Sequence, residues 1–386
     1  MKIVDVCAFL SPHGGGVKTY IEQKLKIGPS LGHEIVIVAP ADEDAVIERG
    51  PGARIVTLAS PRFPLDRKYW YFDDEERLHA VLAAEEPDFV EASSPWRSAS
   101  MVGRWDAPVP RSLVMHADPL SAYAYRWFGG MLSRETIDRR FERFWEHLRD
   151  LGQAFDAVIC ASGELQGRLI EGGVANAELH PMGIEAGLFS PSRRDPAVRR
   201  RLLALCDLPE TAHLLIGVGR LSPEKRWPMV VDAVAAASRH LPIGLVLLGA
   251  GQQKRRILSQ IAGNPHIRLL EPERDRIRFA TLLASADALI HGCEAETFCM
   301  AAAEARACGV PVIVPDRGGA ADHGRGGAGL RYRAGNAQSA AAAIETVFAG
   351  DFVLASRLEP PVTMEEHFVR LFSRYQALAQ APRRAA

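Results

Sequence analysis

Short apolar runs alternate with longer amphipathic stretches along the chain. A run of about four to eight apolar residues favours a buried strand, whereas a period near 3.6 residues favours a helix. The alternation is typical of strand–helix–strand units, whose parallel strands share one sheet. We therefore predict an α/β fold. The predicted strands span residues 2–7, 34–39, 54–58, 88–92, 111–115, 157–160, 178–180, 213–218, 244–248, 267–270, 287–290 and 311–314.

The strand pattern is interrupted by the polar, proline-rich stretch 189–196, whose composition is typical of a linker. A chain of 386 residues is long enough for two domains of roughly 100–200 residues each. The sequence thus predicts two Rossmann-like domains, residues 1–190 and 191–362, with parallel sheets facing each other across a cleft. A further helical pattern at 364–372 follows the second domain.

The composition fits a globular enzyme, with 47% hydrophobic and 24% charged residues. A formal net charge of −1 gives no basis for nucleic-acid binding. No apolar run approaches the roughly 20 residues that span a bilayer, and the chain starts directly in a predicted strand. We therefore expect a cytoplasmic protein without a signal peptide. Its six cysteines show neither C-x-x-C pairs nor zinc-ligand spacing, so we expect reduced thiols and no metal site.

Two glutamates mark the most informative segment of the chain. Glu296 follows the predicted strand 287–290, and Glu304 lies more than one turn into a helix predicted over 300–308. Ligands of open α/β sheets bind at the carboxyl ends of the strands. Because a carboxylate accepts hydrogen bonds from neighbouring hydroxyls, the pair suits a sugar and a ribose. One capping and one solvated glutamate is the alternative that the spacing leaves open.

A second strand-to-helix turn carries two cations. The strand 213–218 is followed by Gly219 and Arg220, then by Lys225, and a helical pattern starts at Trp227. Two cations and a helix N-terminus directed at one anion are suited to hold a diphosphate. Two solvated surface charges are the alternative.

Together, these two segments resemble the donor-binding half of retaining glycosyltransferases of family 4, which have the GT-B fold. The resemblance extends over most of the chain as short matches in the same order. It implies that the last helix, within residues 363–386, crosses back to complete the first domain. The other matching segments are 13–16, 31–38, 87–91, 181–184, 247–251, 309–313 and 315–319.

The resemblance implies that the second domain binds a nucleoside-diphosphate sugar and that the first binds a hydroxyl acceptor, either lipid-linked, a glycan or a small molecule. Glu296 would bind the transferred hexose, Glu304 the ribose, and Arg220 with Lys225 the diphosphate. The catalytic residues would be His116, Arg220, Lys225 and Glu296. The donor-binding residues would be Gly15, Gly16, Gly219, Arg220, Lys225, Gly249, Leu270, Glu296, Thr297, Phe298, Cys299, Met300 and Glu304.

Three of these residues belong to the first domain. Gly15 and Gly16 let the backbone approach a ligand closely, although their spacing is not that of a dinucleotide fingerprint. His116 ends the strand 111–115, where polar side chains point toward ligands. The resemblance places the glycines near the donor diphosphate and His116 near the transferred sugar. A flexible turn and a hydrogen-bonded structural histidine are the respective alternatives.

The chain departs from the family pattern at two places. The family usually has glycine at the position of Cys299, so an added side chain enters a tight part of the sugar site. Arg226 and Trp227 stand where the family has a small residue after the lysine. We expect this second departure to change the rim near the phosphates and to leave the cation pair intact.

The resemblance implies transfer with retention of anomeric configuration, without a cofactor or a metal. The two cations and the amides at the helix start would stabilise the leaving diphosphate. A nucleotide-sugar epimerase or hydrolase of the same fold, or a non-catalytic sugar-nucleotide-binding subunit, is the alternative function.

Aromatic and arginine residues recur within 123–128 and 139–145. One interpretation is a face that contacts anionic lipid, which would give the protein a peripheral membrane contact at the inner face of the membrane. The other is a helix packed on the core with a solvated face.

Overall fold

The structure is a computed structural model and describes residues 1–8, 10, 15–64, 69–129, 131–349, 352 and 360–381. The chain divides into two compact units, and each contains one sheet. The first unit comprises Met1–Asp118, Met131–Pro181 and Met364–Ala386, and the second comprises Pro119–Gly130 and Met182–Thr363. The boundary at Pro181 lies ahead of the stretch 189–196. Within the second unit, the ring of Phe189 packs edge-on against Phe279, with 6.0 Å between centroids.

The first unit contains an eight-stranded sheet of described residues, in the order β3-β4-β2-β1-β5-β6-β7-β8. Its strands are β1 (Lys2–Cys7), β2 (Glu34–Ala41), β3 (Ala45–Gly50), β4 (Ala53–Ala59), β5 (Phe89–Ser93), β6 (Arg111–Val114), β7 (Ala157–Cys160) and β8 (Ala177–Leu179). All neighbours run parallel except β3 and β4, which are antiparallel. β3 is not among the predicted strands.

The second unit contains a six-stranded sheet in the order β11-β10-β9-β12-β13-β14, and every neighbouring pair is parallel. Its strands are β9 (His213–Val218), β10 (Ile243–Leu248), β11 (Ile267–Leu270), β12 (Ala288–Ile290), β13 (Val312–Pro315) and β14 (Gly329–Tyr332). Parallel sheets are covered on both faces, which explains why their strands are continuously apolar. The prediction of two parallel-sheet α/β domains is confirmed, although β14 is absent from the predicted strands.

Helices connect the strands. The first unit contains α1 (Gly16–Ser30), α2 (Glu75–Glu85), α3 (Arg97–Gly103), α5 (Arg134–Arg140), α6 (Glu142–Ala154), α7 (Gly163–Glu171) and α15 (Met364–Gln380). The second contains α4 (Arg126–Phe128), preceded by a π-helical turn at Leu120–Tyr125, and α8 (Pro196–Leu205), α9 (Trp227–Ala237), α10 (Lys254–Ile261), α11 (Arg276–Ala284), α12 (Met300–Ala307), α13 (Gly319–His323) and α14 (Ala337–Phe348).

A charged cluster is buried in the first unit. Asp5 of β1 and Glu91 of β5 are register partners, and Lys24 of α1 reaches both carboxylates. The Lys24 Nζ lies 2.9 Å from Asp5 Oδ2 and 2.7 Å from Glu91 Oε2, and all three side chains are fully buried. The hydroxyl of Tyr375 on α15 donates to Glu91 Oε2 at 2.7 Å, and its ring stacks on Phe89. The cluster therefore joins two strands and two helices.

The aromatic and arginine segments do not share one environment. Trp145 of α6 is buried, and its indole donates to Asp138 at 3.1 Å, as expected for a helix packed on a core. Tyr123 and Trp127 instead expose about half of their surfaces, at 46% and 58%. Among the residues that the structure describes, no helix combines the length and the apolar character needed to span a bilayer. All six cysteines are buried thiols.

Candidate active site

The two segments singled out in the sequence meet at one edge of the second sheet. β9 and β12 are adjacent and parallel, and Ile216 pairs with Leu289. Because parallel strands end at the same edge, the loop 219–226 after β9 lies beside the loop 291–299 after β12. These two loops carry most of the charged side chains of the site, and helices α9 and α12 begin where the loops end.

Lys225 and Glu296 form an ion pair between these loops. The ammonium of Lys225 donates to Glu296 Oε1, and both side chains are largely buried. Burial alone would lower the pKa of Lys225 and raise that of Glu296. The attraction of the opposite charge outweighs burial, so the pKa of Lys225 rises and that of Glu296 falls well below its usual value. Both groups are therefore charged at neutral pH.

His291 lies beside this ion pair. It directly follows β12, is only 2% exposed, and its Nε2 lies 3.1 Å from Glu296 Oε1. Burial lowers the pKa of His291, and the nearby Glu296 carboxylate opposes this only in part. The carbonyl oxygen of His291 accepts a 2.6 Å hydrogen bond from the Tyr332 hydroxyl. The imidazole is thus a neutral group held against the carboxylate.

The backbone around Glu296 is fixed by close packing with the loop after β13. Gly319 N donates to Glu296 O at 2.6 Å. A Cβ at Gly319 would lie 2.5 Å from the Thr297 carbonyl, and a Cβ at Gly318 would lie 2.3 Å from Glu294 O. Gly318 also has φ +72°, so two reasons favour glycine there. A side chain at Gly318 or Gly319 would therefore displace the backbone between Glu294 and Thr297.

Cys299 occupies a strained backbone position. It is the residue before α12, with φ 76° and ψ 73°, in the left-handed region that favours glycine. This conformation supplies a physical reason why glycine suits the position. The side chain is buried, and burial raises the pKa of its thiol well above the usual value. Phe298 beside it is held by His323, whose Nε2 lies 2.8 Å from Phe298 O.

Glu304 lies one turn into α12 and is paired with a different cation. Arg276, the first residue of α11, donates to Glu304 Oε1 at 3.0 Å and lies 3.6 Å from Glu185 Oε2. Glu304 is buried, and burial raises its pKa to about 7 despite the opposing charge of Arg276. Glu304 is therefore a carboxylate whose charge is sensitive to pH in the neutral range.

Arg220 does not join the Lys225–Glu296 pair. Its side chain is 61% exposed and lies 3.4 Å from Glu224. Its backbone carbonyl accepts a 2.9 Å hydrogen bond from the indole of Trp227. Trp227 is fully buried in the core of the second unit, so the expectation that it alters a rim near the phosphates is wrong. A large apolar ring beside β9 gains more by entering the core than by remaining at the surface.

The remaining donor-site glycines close the same edge of the sheet. Gly219 N donates to Leu248 O and Gly249 N donates to Leu270 O, both at 3.1 Å. A Cβ at Gly249 would lie 2.2 Å from Gly219 O. Gly219 and Gly249 therefore directly follow β9 and β10, and Leu270 ends β11. No space for a side chain remains between the backbones of the two glycines.

Two family profiles match the chain. The "Glycosyl transferase 4-like domain" profile matches residues 15–185, and the "Glycosyl transferases group 1" profile matches residues 206–359. The chain is 29% identical over 315 residues to the GDP-mannose-dependent alpha-(1-6)-phosphatidylinositol dimannoside mannosyltransferase of Mycobacterium tuberculosis, covering 81% of this chain and 79% of that protein. This chain is a glycosyltransferase of the family 4 type.

Further similarities agree with this assignment. The glycosyltransferase is 26% identical over 332 residues to the GDP-mannose-dependent alpha-mannosyltransferase of Mycolicibacterium smegmatis, with 83% of this chain and 81% of that protein covered. A glycosyltransferase structure from Rickettsia africae superposes with a TM-score of 0.70 at 16% identity, covering 99% of both chains. The predicted GT-B fold is confirmed.

The predicted residues of the first unit lie in two environments. Gly15 directly precedes α1 and Gly16 begins it, and a Cβ at either would meet nothing within 4 Å. The preceding residues 13 and 14 lie outside the described residues. His116 follows β6, and its ring lies edge-on to Tyr20 at 4.7 Å between centroids. Burial lowers the pKa of His116 to about 4, so this imidazole is neutral in the glycosyltransferase at neutral pH.

Sequence reasoning missed His291 and Arg276 as polar partners of this glycosyltransferase site. It named Arg226 but not its pairing with Glu294, which lies beside the main ion pair. Arg226 has φ 50° and directly precedes α9. His291 directly follows a predicted strand, so the rule that places polar strand ends in ligand sites would have found it. The other two pairings depend on distant loops and leave no local signal.

Proposed function

We propose that this glycosyltransferase transfers a mannosyl group from GDP-mannose to a hydroxyl of a lipid-linked glycan, with retention of anomeric configuration and without a metal. The proposal for the donor and the acceptor class is supported by the activities for which the mycobacterial relatives are named. The observation that carries the proposal for the chemistry is the buried Lys225–Glu296 pair at the carboxyl edge of the second sheet.

Each member of the pair has a separate role. Lys225 remains protonated because Glu296 raises its pKa, so it offers a permanent positive charge to the departing diphosphate. Glu296 remains ionised, and an ionised carboxylate only accepts hydrogen bonds, so it orients two sugar hydroxyls. A fixed ammonium would supply the charge neutralisation that a divalent cation supplies in metal-dependent phosphoryl-transfer sites.

Retention follows from one-sided access. In the proposed mechanism, the acceptor hydroxyl attacks the anomeric carbon from the face that the diphosphate leaves, and a diphosphate oxygen takes the acceptor proton. The reacting carbon is oxocarbenium-like, and Glu296 holds the ring in position. Arg220 approaches the diphosphate from the solvent side, because its side chain is largely exposed.

The assay combines donor choice, stereochemistry and mutation. Purified protein is first screened by thermal shift with GDP-mannose, UDP-glucose and ADP-glucose, because a ligand that prefers the native state raises its apparent stability. Turnover is then measured with a lipid-linked mannoside in the presence of a chelator, and the anomer is assigned by NMR. We expect an α-linked product from α-configured donor and undiminished activity in the chelator.

Two variants test the site itself. Lys225→Ala and Glu296→Gln should each lower turnover at least about tenfold, since loss of one such electrostatic group commonly costs about 100- to 1000-fold. The matched control is Arg200→Ala on α8 of the same unit, which removes an exposed ion pair with Glu210. Near-parental turnover of both variants would refute the roles of the ammonium and the carboxylate. Consumption of donor without any acceptor would instead identify an epimerase or a hydrolase.

A further inference from the structure

Three different side chains of the loop 291–299 are arranged like the ligands of a metal ion. One ligand atom each from His291, Glu296 and Cys299 lies within 4.8 Å of the other two. His291 and Cys299 are buried, and Glu296 is partly buried. The group combines an imidazole, a carboxylate and a thiol on one nine-residue loop. Because the spacing H-x4-E-x2-C matches none of the familiar zinc patterns, the sequence alone predicted no metal at this position.

The imidazole of His291 supplies a second observation. It is 2% exposed, and neither ring nitrogen makes a hydrogen bond of good geometry with a described residue. The approach of Nε2 to Glu296 at 3.1 Å is a contact of distance alone. Buried polar atoms almost always have partners, so an unsatisfied imidazole indicates a group that binds there. Metal ions bind histidine through a ring nitrogen of the neutral imidazole.

Zinc is the ion that this donor set fits. Imidazole nitrogen, carboxylate oxygen and thiolate sulfur are its three usual protein ligands, and a fourth position remains for water. Tetrahedral ligands with bonds of about 2.0–2.3 Å lie roughly 3.5 Å apart, so closing the widest separation requires a shift of about 1 Å. Zn²⁺ would displace the Sγ proton of Cys299 to solvent and bind the resulting thiolate.

The charge balance also allows zinc. The thiolate of Cys299 and the carboxylate of Glu296 together carry two negative charges, equal to the charge of the ion. The ammonium of Lys225 opposes the ion, because it donates to Glu296 in the free protein. On zinc binding, Lys225 would lose this partner and remain as an unpaired cation. The ion therefore competes with Lys225 for one carboxylate oxygen.

We propose that His291, Glu296 and Cys299 form a zinc site that closes the donor site, so that Zn²⁺ and the nucleotide sugar exclude each other. Exclusion follows because both need the carboxylate of Glu296. This second part rests on the proposed function, whereas zinc binding itself does not. The protein would then be a metal-independent transferase that zinc inhibits.

Binding is tested with the full chain and Zn²⁺ alone. Metal-free protein is titrated with Zn²⁺ against a chromogenic chelator, and we expect one ion per chain. Cys299→Ser and His291→Asn should each weaken binding at least about tenfold, since loss of even an outer-shell partner costs about 10- to 100-fold. The matched control is Cys308→Ser, a buried thiol at the other end of α12, which should bind zinc as the parent does.

A spectroscopic readout covers the case in which Cys299→Ser or His291→Asn does not fold, because it needs neither variant. Co²⁺ in place of Zn²⁺ should give a thiolate-to-cobalt charge-transfer band in the parent and in Cys308→Ser. Absence of zinc binding in the parent would overturn the site. Equal zinc affinity of the parent, Cys299→Ser and His291→Asn would overturn it as well.

Competition with the donor is measured separately. GDP-mannose should lower the apparent zinc affinity, and zinc should raise the donor KM without changing kcat at saturating donor. Zinc that binds at these residues while leaving GDP-mannose binding unchanged would overturn the exclusion. The protein could transfer no mannose in the absence of zinc and yet bind zinc through Cys299 when the ion is added. In that case the proposed function would fail and the metal site would stand.

Discussion

Replacement of Lys24 by Met should cost the first unit much of its stability, because the change leaves two buried carboxylates without their cation. Lys24 Nζ lies within 2.9 Å of both Asp5 and Glu91, and all three side chains are fully buried. Removing one partner from a buried ion pair commonly costs about 3–5 kcal/mol. We expect a loss in the same range near pH 8.

The cost should depend on pH, since Glu91 can take up a proton. Burial, with a contribution from Asp5, raises the pKa of Glu91 to about 7, although Lys24 opposes the shift. When a carboxyl group has a higher pKa in the folded than in the unfolded protein, the folded protein loses stability as the pH rises from the unfolded pKa to the folded pKa. Without Lys24 the folded pKa of Glu91 rises further. Above pH 7 the variant should therefore fall behind the parent by up to about 1.4 kcal/mol per pH unit.

Hydrogen exchange at increasing urea is the appropriate assay, because two units need not unfold together. Amides of β1 and β5 report the opening free energy of this cluster in the parent and in the variant, at pH 6 and pH 8. Lys18→Met on the same helix is the control. It removes an exposed pair with Glu22 and should cost no more than about 0.5 kcal/mol. Equal losses for the two variants, or a Lys24→Met loss independent of pH, would refute this account of the buried cluster.

Three further changes test the second unit. Arg276→Met should raise the pKa of Glu304 above its value of about 7, so the donor KM should increase at neutral pH and recover in alkaline buffer, as a pH profile of KM would show. Gly249→Ala places a Cβ 2.2 Å from a backbone carbonyl and should cost about 1–3 kcal/mol, measurable as a lower melting temperature. Trp227→Phe keeps an aromatic ring in the core but leaves the Arg220 carbonyl without its donor, so stability should fall by about 1–3 kcal/mol and the donor KM should rise, measured by melting and by kinetics.

Each of these changes has a contrary outcome. If the donor KM of Arg276→Met changed with pH as it does in the parent, Arg276 would not control the pKa of Glu304. Arg278→Met on the same helix is the control for this variant. Gly167→Ala, where a Cβ meets nothing within 4 Å, should leave the melting temperature near the parent's. If Gly249→Ala had the same melting temperature as Gly167→Ala, the close contact between a Cβ at Gly249 and the Gly219 carbonyl would be refuted. An unchanged donor KM in Trp227→Phe would show that the hydrogen bond from Trp227 to the Arg220 carbonyl does not affect donor binding.

Much of the fold could be predicted because parallel strands are buried on both faces and appear as continuous apolar runs. β3 was not predicted, because it is an antiparallel edge strand whose Val46 and Ile47 side chains are 63% and 44% exposed. Its sequence resembles neither a buried strand nor a clean alternation. β14 is short and carries an exposed Arg331 between its buried ends, so its apolar signal is weak.

The site was predictable where a residue's role depends on its place at a strand end. Glu296 and Lys225 follow adjacent strands, so the topology alone brings their loops together. The pairing of Glu304 with Arg276 could not be predicted, because α11 and α12 meet through tertiary packing. The burial of Trp227 depended in the same way on the space available beneath β9, which local sequence does not encode.

The indole of Trp227 contacts the hydrophobic core through its ring and the loop 219–226 through its single N–H group. A change at this one side chain would therefore disturb both the core and the backbone of the loop 219–226. Laboratory evolution toward a hotter working range would have to preserve this tryptophan, and selection for a new donor would act on a loop whose anchor lies in the interior. In this glycosyltransferase, exposed side chains of the loop 219–226, such as that of Arg220, can change without loosening that anchor.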